Sequence, residues 1–231
     1  MTKIKICGMR RPADIEAANL ARPDYVGFIL SDGFRRSVTA AEAEKMAAML
    51  APGIAAVGVF VNEPVERVAS AAGFLDHIQL HGREDNDYIR ELKAVVRLPV
   101  IQAFRIRTEE DLQRAHESDA DILLLDNGTG TGQSFDWSLL KGMTGPAGQG
   151  LEESGLSTQF RSRIDKERDS DRKLKRMKRP WILAGGLHAD NIAQAVRALH
   201  PYAVDLSSGA ETDGWKDPVK MRRCVEAVRL G

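Results

Sequence analysis

With 231 residues, 43% of them hydrophobic and 29% charged, the chain can bury a sizeable core, which excludes a disordered or fibrous class. Its 33 basic and 33 acidic side chains cancel to a net charge of zero, so no global field recruits nucleic acid or an acidic membrane surface. The two cysteines, Cys7 and Cys224, lie far apart with no Cys-x-x-Cys or Cys/His cluster, which argues against a disulfide framework and a zinc site.

No apolar run approaches the roughly 20 residues that span a bilayer. The opening "MTKIKIC" has neither an apolar h-region nor a small-residue cleavage site, so export is not expected and a cytoplasmic location is. From there, short β-rich runs alternate with amphipathic segments. Strand one is expected over Lys3 to Cys7 ("KIKIC"). The helical pattern "RPADIEAANLA" follows, with Pro12 in its first turn and Asp14 and Glu16 near the positive end of its dipole. Strand two is expected over Tyr25 to Leu30. The next helix is capped by Thr39, with Glu42 three residues on completing a capping box.

Strand three is read over Ala55 to Val61, before a helix with Asn62 as cap and Pro64 in the first turn. Strand four covers His77 to Leu80, and strand five Pro99 to Phe104, followed by a helix capped by Thr108. Strand six is read over Asp121 to Asp126, strand seven over Trp181 to Gly186 and strand eight over Ala203 to Ser208. The segments "HADNIAQAVRAL" and "DPVKMRRCVEAVRL" supply two more helices. Most of the strands are continuous apolar runs, the pattern of parallel strands covered on both faces.

Eight strands, each followed by a mostly helical connection, predict an α/β protein: a single (β/α)8 TIM-barrel domain over residues 1–231. An open doubly wound sheet is the alternative, but no Gly-x-Gly-x-x-Gly fingerprint or strand-order reversal marks one. One stretch breaks the rhythm, at about 142–179 between strands six and seven. It turns Gly-rich and then heavily charged, with too few apolar residues to offset its ordering entropy, and reads as a mobile or weakly helical insertion.

In such barrels the chemistry gathers at the C-terminal ends of the strands. The residues expected there are Cys7, Arg35, Arg36, Asn62, His81, Arg105, Asp126, Gly185, Gly186 and Ser207 to Gly209. Cys7 reads either as a small packed hydrophobe or as a base at the barrel mouth. Asp126, ending an apolar strand, is costly unless it faces that mouth, as an acid or as a cap of the following turn. Gly185 and Gly186 after strand seven, with Ser207, Ser208 and Gly209 after strand eight, form paired small-residue turns. Their backbone N–H groups can wrap a phosphate, or the glycines only permit tight turns. Arg36 after strand two is either a bidentate carboxylate holder or an exposed surface arginine.

The ordered set "KICGMR", "YVGFIL", "VGVFVN", "IQLHG", "LLLD…FDW", "LAGGL…DN" and "VDLSSGAE…GWKD" closely resembles the phosphoribosylanthranilate isomerase family of tryptophan biosynthesis, over nearly the whole chain except the insertion. The resemblance implies an Amadori rearrangement of N-(5-phosphoribosyl)anthranilate to 1-(2-carboxyphenylamino)-1-deoxyribulose 5-phosphate. It places the general base on Cys7, the general acid on Asp126 and the holder of the anthranilate carboxylate on Arg36. The phosphate falls on Gly185, Gly186, Ser207, Ser208 and Gly209. It implies no metal and no organic cofactor, and a small phosphorylated substrate as the partner of a monomer or homodimer, with neither membrane nor nucleic acid.

The chain departs from the family pattern at "GFRRS", where Arg35 competes with Arg36 for the carboxylate. His81 matches a family motif and reads as supporting structure. The histidine-pathway isomerase, or the bifunctional barrel, is the nearest rival; it resembles the same fold but has an aspartate where Cys7 stands and needs two phosphate sites. A second rival is a barrel of lapsed activity whose residues 152–179, with ten basic against six acidic side chains, contact a polyanion.

Overall fold

The computed structural model describes residues 1–126, 140 and 179–231. Eight parallel strands close into one barrel in sequence order. They are β1 (Lys3–Cys7), β2 (Tyr25–Ile29), β3 (Ala55–Phe60), β4 (His77–Leu80), β5 (Val100–Arg105), β6 (Ile122–Asp126), β7 (Trp181–Ala184) and β8 (Ala203–Leu206). Closure comes from β1 pairing with β8, in the register Lys3 with Ala203 through Ile6 with Leu206. The helices are α1 (Pro12–Ala21), α2 (Ala40–Ala47), α3 (Val65–Ala71), α4 (Asn86–Val95), α5 (Glu109–Glu117), α6 (Ile192–Leu199) and α7 (Pro218–Leu230). A short antiparallel hairpin, β9 (Glu211–Thr212) with β10 (Trp215–Lys216), follows β8. The charged segment read as an insertion, apart from Arg179, lies outside the described residues, as do the turns after Asp126. No helix among the described residues is long and apolar enough to cross a membrane.

The two-residue period of each strand separates two cores. Ile4, Ile6, Leu123, Leu125, Leu183, Val204 and Leu206 point outward into the layer between barrel and helices. Tyr25, Val57, Ile101, Ile122, Leu124, Ile182, Ala184 and Ala203 fill the barrel interior. The same parity carries Lys3, Lys5 and Cys7 inward along β1, and Asp126 and Asp205 inward along β6 and β8. At the N-terminal end the interior is closed by a polar triangle. Lys3 Nζ donates to the hydroxyls of Tyr25 and Tyr202 at 3.0 Å each, and those hydroxyls are 3.0 Å apart. With that end plugged, the ionisable groups at the other end face the open mouth.

Most expected helix starts hold. Thr39 Oγ1 accepts from Glu42 N at 3.2 Å while Glu42 Oε2 accepts from Thr39 N at 2.8 Å, closing the capping box of α2. Thr39→Ala removes it and should cost about 1 kcal/mol, lowering Tm by roughly 2–4 °C in a thermal melt. Thr108 caps α5 in the same way with Asp111, and Asp217 Oδ1 caps α7 through Val219 N at 2.9 Å. Asn62 is a correction. The cap of α3 is Pro64, and Asn62 instead takes a left-handed turn at φ 53° with its Oδ1 accepting from Arg83 N at 2.7 Å. Here a backbone N–H of the neighbouring loop outcompetes the local helix start for the Asn62 side chain. Helix α4, capped by Asp85 on Tyr88 N at 2.9 Å, was not anticipated.

Candidate active site

Cys7, the last residue of β1, is buried at 8% exposure. Opposite it on β2 stands Gly27, and the glycine is required there. A Cβ at Gly27 would fall 2.6 Å from Cys7 Sγ and 3.2 Å from Lys5 Nζ. The thiol and the ammonium therefore lean together over the one gap that β2 leaves. Lys5 is fully buried and pairs with Asp205 Oδ1 at 3.0 Å. Burial works against its charge, but Asp205 and Cys7, each by charge and hydrogen bond, outweigh burial and raise its pKa. Lys5 and Asp205 escaped the sequence reading, although alternation in "KIKIC" puts Lys5 on the same face as Cys7.

Asp126 ends β6 on the interior face, with β7 and β8 between it and Cys7 on the shorter way round the ring. Its neighbour in register on β5 is Arg105. His81, just past β4, has its Nδ1 2.9 Å from Gln79 Nε2. Burial pushes the pKa of His81 down against the charges of Asp126 and Asp205, so the ring is neutral near pH 7.

Arg36 is not an exposed surface arginine: its side chain is 19% accessible, against 57% for Arg35. It lies across Gly8, where a Cβ would fall 2.5 Å from Arg36 Cδ and the backbone takes φ 87°. Its fork grips Glu211: Nε donates to Oε1 at 2.6 Å and Nη2 to Oε2 at 2.8 Å. Arg35 Nη2 donates to the same Oε2 at 2.9 Å, and Lys216 Nζ to Oε1 at 2.9 Å. Three cations thus share one buried carboxylate, leaving surplus positive charge beside Cys7. Trp215 of the same hairpin stacks under Arg10 and Arg11, whose guanidinium carbons lie 4.0 and 4.1 Å from the ring centroid.

Burial alone would push Glu211 up, but the hydrogen bonds from Arg36 and Lys216 outweigh it and hold the carboxyl at about 2. A carboxyl depressed on folding adds stability that is complete above its unfolded value and is lost as pH falls through its folded one. The Tm advantage of the native chain over Glu211→Gln should therefore be full at pH 6 and close as pH falls from about 4.5 toward about 2, as read by melts across that range.

The two expected phosphate turns meet backbone to backbone. Gly185 and Gly186 take φ 97° and 62°, and Asn191 Nδ2 donates to Gly186 O at 2.9 Å. A Cβ at Gly209 would lie inside the carbonyl of Leu187, 3.0 Å from its carbon and 3.1 Å from His188 Cα. Ser208 is exposed at the tip. The hydroxyl of Ser207 is engaged elsewhere, donating to Cys7 O at 2.9 Å, while Lys216 donates to Ser207 O at 2.9 Å.

A closed parallel barrel, plugged at one end and ringed with ionisable groups and glycine turns at the other, is a β/α-barrel enzyme. The family profile described as N-(5'phosphoribosyl)anthranilate (PRA) isomerase matches residues 4–227, and the chain belongs to that family. An N-(5'-phosphoribosyl)anthranilate isomerase of Thermoanaerobacter sp. (strain X514) is 39% identical, covering 99% of this chain and 98% of its own. The crystal structure of phosphoribosyl anthranilate isomerase from Thermotoga maritima superposes with a TM-score of 0.77 at 29% identity, covering 99% of each chain. A structure of the isomerase in complex with reduced 1-(o-carboxyphenylamino)-1-deoxyribulose 5-phosphate gives 0.74 at 29% identity, again over 99% of each chain.

Proposed function

We propose that this chain isomerises N-(5-phosphoribosyl)anthranilate to 1-(2-carboxyphenylamino)-1-deoxyribulose 5-phosphate, a step of tryptophan biosynthesis, with Cys7 as general base and Asp126 as general acid. The observation that carries the residue assignment is parity. Both side chains continue the inward-facing rows of their strands and end at the same open mouth. Asp126 gives its proton to the ribose ring oxygen, which takes the electrons of the breaking C1′–O bond while the anthranilate nitrogen forms the Schiff base. Cys7, as thiolate, removes the proton from C2′, and the electrons left behind make the enolamine that tautomerises to the ketone. No bond to the protein forms.

The ends of the substrate fit the rest of the mouth. The surplus charge of Arg35, Arg36 and Lys216 over Glu211 suits the anthranilate carboxylate. Arg36, less accessible and better fixed than Arg35, is the stronger choice for it. Backbone N–H groups of the adjoining turns Gly185–Gly186 and Ser207–Gly209 would hold the phosphate. Support for a doubly anionic ligand comes from the relative solved with a reduced carboxyphenylamino sugar phosphate. The chain would work in the cytoplasm as a monomer or homodimer; monomers of the dimeric Thermotoga maritima isomerase have been solved. Freshly generated phoshoribosylanthranilate should lose its anthranilate fluorescence in proportion to added native chain. A folded chain that leaves the signal unchanged overturns the reading.

A further inference from the structure

Lys5 is a fully buried ammonium one inward-facing position below Cys7 on β1, between the open mouth and the Lys3–Tyr25–Tyr202 plug. Burying an ion pair gains little stability over well-packed apolar side chains of the same volume. The pair with Asp205 therefore calls for a reason other than stability, and its neighbour supplies one. Nζ and Cys7 Sγ converge over Gly27, so the ammonium that donates to Asp205 also stands beside the thiol.

The charged groups around Cys7 come from every element packed against it. Its own strand brings Lys5, and β8 brings Asp205 behind Lys5. The loop after β2 brings Arg36, and β10 brings Lys216; both act on Cys7 by charge, and both are shared with Glu211. β2 itself places only Gly27 there. Across the mouth, His81 is held between the fields of Asp126 and Asp205. Of the three cations, Lys5 alone approaches the sulfur from inside the barrel, on the side away from any substrate.

We propose that Lys5 is a positioning residue for the isomerase reaction: its ammonium donates to Cys7 Sγ, holds the thiol ionised and aims it at the mouth, and Asp205 tempers how much of that charge Cys7 feels. The assignment rests on Cys7 acting as the base. When the thiolate takes the C2′ proton, Lys5 keeps its own three protons and only loses an ionic acceptor. No bond to Lys5 forms or breaks.

The test is the pH dependence of Cys7 alkylation by iodoacetamide, located by mass spectrometry in the full-length native chain, Lys5→Met and Asp205→Asn, with folding checked by circular dichroism. Thiolate, not thiol, reacts. Lys5→Met should move the midpoint up by roughly one pH unit or more, and Asp205→Asn should move it down. Turnover should follow: kcat/KM of Lys5→Met falls about tenfold to a hundredfold at pH 7 and recovers part of the loss at higher pH. A purely structural role would not drive the two midpoints in opposite directions. Unchanged midpoints, or two that move together, overturn the proposal. Should Lys5→Met fail to fold, Asp205→Asn decides alone: a lower midpoint supports it, and an equal or higher one overturns it. A native chain without turnover whose midpoints still shift as stated would sink the reaction and leave the Lys5–Cys7 coupling standing. Turnover with immobile midpoints would do the reverse.

Discussion

Asp126→Asn is expected to lower kcat by roughly 10²- to 10⁴-fold, the range over which a positioned acid or base contributes. Asparagine keeps the shape of the side chain and its place at the end of β6, so KM and the melting temperature should stay close to native. What is lost is a proton that can be handed to the ribose ring oxygen as the C1′–O bond breaks. Cys7→Ser should cost as much for the opposite reason, since a serine hydroxyl at that position holds its proton too tightly to act as a base near neutrality. The acid opens the ring before the base acts. Single-turnover traces should therefore show Asp126→Asn stalled at intact phosphoribosylanthranilate, with the double variant no slower than the slower single one within a few-fold. Either single variant retaining kcat within about tenfold of native would remove that residue from its assigned role.

The barrel was legible because its signals are local. Eight apolar runs, and caps such as Thr39 with Glu42, are written within a few residues of where they act. Strand ends shifted by one or two residues, as at Trp181–Ala184, where the glycines leave the ladder for the mouth. Cys7, Asp126 and the two small-residue turns could be placed from strand ends alone. The machinery around them was not legible in that way, because its partners are distant in sequence. Lys5 meets Asp205, and Arg36 meets Glu211, only once β1 closes on β8. A lysine within an apolar strand looks like an edge or an error until the ring is complete. One signal was available: Lys3, Lys5 and Cys7 alternate with Ile4 and Ile6, so any reading that sent the thiol inward sent the lysines with it. The hairpin of Glu211 to Lys216 carried no such signal, since its strands are two residues each.

The second large effect concerns the contact between the turns after β7 and β8. Gly209→Val should raise KM for phosphoribosylanthranilate by roughly tenfold to a hundredfold while kcat falls much less, the mark of lost binding that ground and transition states share. The reason lies in how the two turns touch. A Cβ at Gly209 points into the carbonyl of Leu187, and the atoms it meets there are backbone, with no flexible side chain to swing away. One turn must retreat from the other, at about 1–3 kcal/mol for a forced contact in packed surroundings. Retreat separates the N–H groups after β7 from those after β8, so a phosphate can then be held by one set only. Gly33, by contrast, has nothing within 4 Å of its would-be Cβ, though its φ of 85° adds backbone strain. Gly33→Ala is therefore the control for a glycine replaced without collision: some stability should be lost, and KM should hold. Inorganic phosphate gives an independent reading, because it should raise the Tm of the native chain and of Gly33→Ala but not of Gly209→Val. Equal protection of all three would mean that the phosphate is held without these turns.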